Sequence, residues 1–162
     1  MAEDIKKFSE DAEQIPPLSL AYVGDSIYDF FVRDYLIREF SGSLNKINGK
    51  KKELVCAKAQ SAIMAFFLDK KILTEEEFSV YRRARNHKSQ SHSKNSAIQD
   101  YRRATGFEAV LGFLHYRGEK ERLQFLMEEG LAFLLQTTEK KEDAQIQYVG
   151  TPHRQGKERI YI

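Results

Sequence analysis

The chain has 162 residues and a formal net charge of +2, with 41% hydrophobic and 31% charged residues. That is enough chain for one globular domain with a real core, and a balance so near neutral says nothing about partners, which only the distribution of charge can indicate. Cys56 is the only cysteine, which excludes an internal disulfide and a cysteine-based structural zinc site.

Residues 1–14 form a polar leader, acidic overall and without the apolar stretch of a signal peptide, which is compatible with a cytoplasmic location. Pro16 and Pro17 then open the first helix, expected over about 17–39. Its apolar positions cover more than one stripe, so it is expected to be buried on several sides, with a subunit interface as well as a core. It cannot cross a membrane, because Asp25, Asp29, Arg33 and Asp34 interrupt it, and no membrane partner is expected. Asp25 and Asp29 are four apart and share a helix face. A carboxylate on such a helix needs a cation, a donor or a proton. Gly24, beside Asp25, lowers helix propensity, which a close helix–helix approach or access to Asp25 would explain.

Residues 40–49 read as a turn-rich connection, and a second helix is expected over about 50–69. Lys50, Lys51 and Lys52 would then oppose the dipole at its start. Cys56 lies among Leu54, Val55 and Ala57 and reads as an inert core thiol. Thr74 with Glu77 three residues on is a capping box, opening a third helix over about 75–86. Residues 87–96 carry four serines and no large apolar side chain, the composition of an exposed loop. From Tyr81 to Arg103 there are seven Lys or Arg residues against Asp100 alone, a local excess of +6. A fourth helix is expected over about 97–116, with Glu108 among Phe107, Val110, Leu111 and Leu114 and next but one to Gly106. After a turn at Arg117-Gly118 comes a fifth helix over about 119–135, and the pattern fails after Thr137. Residues 137–162 read as a charged, loosely ordered tail in which Ile160, Tyr161 and Ile162 alone invite packing.

Two features carry chemistry. Asp25 and Glu108 are acids in apolar helices, each close to a glycine, and a basic polar segment leads into the helix of Glu108. Converging carboxylates repel unless a divalent cation sits between them, and Mg²⁺ suits few carboxylates and phosphate oxygen. Together the features fit a metal-dependent nuclease. Taken one at a time they also fit a paired acid and a solvated basic face. The histidines add little: His87 and His92 are five apart in the loop, His115 lies on a helix and His153 in the tail.

Tyr22-Val23-Gly24-Asp25-Ser26 resembles the ribonuclease III signature Glu-x-Leu-Gly-Asp-Ala/Ser, and Thr105-Gly106-Phe107-Glu108-Ala109 resembles its second motif, Asp-x-Phe-Glu-Ala. Ala57-Lys58-Ala59-Gln60-Ser61 and Arg83-Ala84-Arg85-Asn86-His87-Lys88-Ser89 are similar to the Mini-III branch, which lacks a double-stranded-RNA-binding domain. The resemblance spans about 15–136, the expected catalytic domain. It implies an all-α, ribonuclease III-like helical endonuclease domain in a symmetric homodimer, with Mg²⁺ held by Asp25 and Glu108. It implies cleavage of double-stranded RNA to 5′-phosphate and 3′-hydroxyl ends, in maturation of precursor large-subunit (23S) ribosomal RNA. Lys58, Arg82, Arg83, Arg85, Lys88, Lys94, Arg102 and Arg103 become candidates for RNA backbone contacts. Ala21 and Thr105 stand where the full-length enzymes carry two further acids. The alternatives are a non-catalytic RNA-binding or ribosome-assembly module on the same fold, and a helical interaction protein whose acids are simply paired.

Overall fold

The computed structural model describes residues 11–87 and 96–149. These form a short 3₁₀ turn, Ala12–Gln14, and six α-helices: α1 Pro17–Glu39, α2 Leu44–Val55, α3 Ala57–Asp69, α4 Glu75–Arg85, α5 Ser96–Arg117 and α6 Lys120–Val149. The fold is all-α, as expected. Among the described residues no helix is long and apolar enough to cross a membrane.

The molecule is built around α5, with α1, α3 and α4 packed along it. From Ala104 to Leu114 every residue of α5 is buried except Glu108, which is half-buried. Small residues make that enclosure possible. A Cβ at Gly24 would overlap the backbone carbonyl of Glu108, and one at Gly112 would overlap that of Leu20. Thus α1 and α5 cross with their backbones in near contact at two levels, and the first level lies beside Asp25. The close approach anticipated at Gly24 is present. Leu20, Tyr28, Val32 and Leu36 of α1 fill the core with Ile63, Met64 and Phe67 of α3 and Phe107, Leu111 and Leu114 of α5. The Tyr28 and Phe107 rings meet edge to face at 5.1 Å. Unlike the enclosed stretch 104–114 of α5, α1 keeps large apolar side chains on the surface along its length: Tyr22 is 80% exposed and Phe30 71%.

Local chemistry explains several helix ends. Thr74 Oγ1 accepts from the Glu77 amide at 3.2 Å, and Glu77 Oε2 accepts from the Thr74 amide at 2.9 Å, completing the capping box. Glu77 is also held by Arg122, whose Nε donates to Oε1 at 2.7 Å, so the cap ties α4 to α6. Gly118 takes a positive φ of 71°, and the Glu119 amide bonds back to the Leu114 carbonyl at 3.0 Å, closing α5.

Five expectations need correction. The stretch 40–49 is not all turn, because α2 starts at Leu44 behind the Ser43 cap. Tertiary contacts outweigh the poor helix propensity of Asn45, Asn48 and Gly49: Leu54 is buried, Ile47 packs on the core, and the Lys50 ammonium sits over the Phe40 ring at 4.6 Å. The single helix expected over 50–69 is two helices, divided at Cys56, whose extended backbone (ψ 158°) ends α2 and begins α3. Lys50, Lys51 and Lys52 therefore lie toward the C-terminal end of α2, where the dipole favours cations. Cys56 is exposed at that junction and is not a core thiol. Finally, α6 does not stop near residue 135 but continues past Thr137 to Val149. Residues 150–162, with His153 and Ile160–Ile162, lie outside the described residues.

Candidate active site

The crossing of α1 and α5 brings together the two acids singled out in the sequence. Asp25 is exposed on α1, and Glu108 is half-buried on α5. Burial pushes the Glu108 carboxyl up to about 7, and the Asp25 carboxylate beside it pushes in the same direction. The amide of Gln60 acts in the opposite sense, by favouring the ionised form of Glu108. No lysine or arginine among the described residues forms an ion pair with either acid.

One turn farther along α1, Asp29 is satisfied within the protein. Lys51 Nζ lies 3.1 Å from Asp29 Oδ1, and Arg33 pairs with Oδ2. Burial alone would raise the Asp29 carboxyl, but the bonds and charges of Lys51 and Arg33 prevail and hold it below its ordinary value. Asp34 pairs with Arg38 at 2.9 Å.

The donor set at Asp25 and Glu108 is made of hard oxygens and has an uncompensated negative charge when both acids ionise. That chemistry fits a divalent cation such as Mg²⁺. Among the described residues no group of three or more His, Cys, Asp or Glu side chains converges, so these two acids stand without a third. Ala21 is 4% exposed and Thr105 7%, and the Thr105 hydroxyl donates to the Tyr101 carbonyl at 2.9 Å. The places of the two missing acids are thus closed by small packed side chains.

The basic candidates divide by environment. Lys58 is exposed in the first turn of α3, and Arg82, Arg83 and Arg85 are exposed in the last turn of α4. Arg83 Nη1 donates to the Glu13 carbonyl at 2.9 Å, and Arg85 Nε to Asn86 Oδ1 at 3.2 Å. Arg102 and Arg103 are half-buried on α5. Arg103 Nη1 donates to Ser61 Oγ at 3.4 Å, and Ser61 Oγ donates to Asp100 Oδ1 at 2.7 Å, a link between α3 and α5. Lys88 and Lys94 lie outside the described residues, as does His92. His87 and His115 are exposed.

Sequence reasoning gave Gln60 no role, although it lies in the same short motif as Lys58. Its signal is a single amide on a helix whose neighbouring positions, Ala59, Ile63 and Met64, are apolar and buried.

Comparison with known proteins adds an independent line. The Ribonuclease III domain family matches residues 18–119. The chain is similar to the Mini-ribonuclease 3 of Enterococcus faecalis, at 42% identity over 130 residues, covering 80% of this chain and 98% of that protein. It is also similar to the Mini-ribonuclease 3 of Clostridium tetani, at 44% identity over 119 residues, covering 73% and 78%. Among solved structures, the crystal structure of a protein from Fusobacterium nucleatum resembles it with a TM-score of 0.63 and 28% identity, covering 73% of this chain and 93% of that one.

Proposed function

From the premise that this chain belongs to the Ribonuclease III domain family and is a Mini-ribonuclease 3-like endoribonuclease, we propose that it cleaves double-stranded RNA with Mg²⁺ held by Asp25 and Glu108. The observation that carries this reading is the carboxylate pair itself: two converging acids, one raised to about 7, with no ion pair to a lysine or arginine among the described residues. When bound, the cation neutralises charge on a phosphate and acidifies water for attack on it.

The chain's own residues do the rest. Asp25, exposed, is the acid that the substrate meets; Glu108 is fixed in place by the backbone contact at Gly24. Exposed Lys58, Arg82 and Arg85 meet the phosphate backbone, as do Lys88 and Lys94; Arg83, Arg102 and Arg103 contribute as well while holding partners within the protein. Duplex RNA is read through its shape, phosphates and 2′-hydroxyls, for which such side chains are suited. The products carry 5′-phosphate and 3′-hydroxyl ends.

Two antiparallel strands call for two sites, and the reading includes a symmetric homodimer. The apolar surface of α1 supports it. Phe30 is exposed beside an open groove of about 960 Å³ between α1 and α6, lined by Ile27, Phe31, Met127 and Leu131. An apolar patch of this kind favours association. The proposed substrate is precursor 23S ribosomal RNA, in the cytoplasm.

Incubation of the purified protein with duplex and single-stranded RNA, with and without Mg²⁺, tests the reading. Metal-dependent cutting confined to the duplex is expected. Salt-sensitive duplex binding without any cutting would instead favour the non-catalytic RNA-binding module, the reading that loss of acids at Ala21 and Thr105 keeps open.

A further inference from the structure

Gln60 combines three features that packing alone does not explain. It is 2% exposed, near the start of α3, where α3 lies against α5. Its Nε2 donates to the Val55 carbonyl at 3.0 Å, and because a carbonyl only accepts, that bond fixes which way the amide faces. Its Oε1 is buried and has no hydrogen-bond partner among the described residues. A buried acceptor left unpaired is costly, and such atoms mark places where water or a ligand completes the set. The same amide is near enough to Glu108 to favour its ionised form.

The neighbouring residue holds this arrangement in register. Ser61 bonds Asp100 and receives Arg103, so the first turn of α3 is pinned to α5 two turns before Glu108. An amide also suits the position chemically. A glutamate there would add a third negative charge against two acids that no lysine or arginine among the described residues pairs with; an amide offers a donor to the carboxylate and an acceptor to water.

We infer that Gln60 is a positioning residue for RNA cleavage: its N–H steadies the Glu108 carboxylate, and its Oε1 accepts a hydrogen bond from a water beside the Asp25–Glu108 pair. The inference rests on the cleavage reading above. Partners of this kind characteristically matter about 10–100-fold in metal affinity or activity.

Gln60→Met keeps the length and volume of the side chain and removes both polar atoms. It is expected to lower kcat by about 10–100-fold and weaken Mg²⁺ binding by about 10-fold, while KM for duplex RNA and the thermal midpoint stay close to those of the parent. A variant with the parent's kcat and Mg²⁺ affinity would overturn the assignment. The parent protein supplies a second readout that does not depend on that variant's stability or on turnover. With ¹⁵N-labelled glutamine, the Gln60 side-chain amide resonance should move as Mg²⁺ is added, while that of Gln124, bonded to Glu128 on the surface, should not. An unmoved Gln60 resonance at Mg²⁺ concentrations that support cleavage would overturn the proposal. Failure of the parent to cut duplex RNA would instead defeat the cleavage reading, so the two failures are told apart.

Discussion

Asp25 and Asp29 stand one turn apart on α1 and meet opposite fates. Asp29 has Lys51 and Arg33 against its two oxygens, and its carboxyl is held below the ordinary value although burial pulls the other way. Asp25 faces Glu108 instead, and burial together with the Asp25 charge lifts Glu108 to about 7. The same residue type, helix and face yield a finished structural ion pair in one place and an unfinished electrostatic arrangement in the other. What separates them is the partner helix. Across from Asp29, α2 supplies a lysine; across from Asp25, α5 supplies another acid. By this difference among the described residues, Asp25 and Glu108 rather than Asp29 are the acids proposed to hold a cation.

That contrast can be broken at several points. Asp25→Asn and Glu108→Gln should each lower kcat for duplex RNA by at least about 100-fold, as expected when a metal-binding charge is lost, without lowering the thermal midpoint of the metal-free protein. Gly24→Ala should be the most damaging change to the fold near the site. The added methyl meets the Glu108 backbone, where no flexible side chain can yield, and a loss of about 3 kcal/mol is expected in denaturant unfolding. Activity should fall with it, because α1 and α5 must part.

The pH dependence sharpens the same comparison. The Glu108 carboxyl lies at about 7 in the folded protein against an ordinary 4.5, so folding favours its protonated form. That contribution is complete below about pH 4.5 and is lost as pH rises through 7, on the order of 3 kcal/mol in the metal-free protein. Glu108→Gln should remove this dependence in unfolding curves measured from pH 4 to 8. Asp29 has the opposite sign: its contribution is present above its ordinary 3.8 and is lost as pH falls through its lowered value. The smallest effect belongs to Lys51→Ala, which breaks the finished pair. It should cost about 1 kcal/mol and leave cleavage unchanged. Loss of cleavage comparable to that of Asp25→Asn would show that Asp29 belongs to the site after all.

Much of this organisation was legible in the residues because it rests on local chemistry. Pro17 opens α1 and Thr74 with Glu77 caps α4, and both helices begin at those signals. Asp25 and Glu108 stood out through their glycine–apolar settings, and the close approach explains Gly24. What escaped the sequence depends on contacts between distant segments. Asn45, Asn48 and Gly49 look like a loop until Leu54 and Ile47 are seen against the core. No glycine or proline marks the break at Cys56, which is made by an extended backbone at an ordinary residue. The central place of α5 is hidden for a related reason: Ala104, Gly106, Ala109 and Gly112 carry little hydrophobic signal, yet small side chains are what allow neighbours to close around it. Gln60 went without a role because an amide on an apolar helix has no spacing rule to point to its partner.

The central claim is that the uncompensated pair at Asp25 and Glu108 is a metal-dependent cleavage site. Its most direct test is cleavage of duplex RNA by the parent protein and by Asp25→Asn, each with Mg²⁺ and with a chelator. Cleavage by the parent with Mg²⁺ alone, leaving 5′-phosphate ends, and its loss in Asp25→Asn is the predicted result. Equal cleavage by the two proteins, or cleavage by the parent in chelator, would contradict the account.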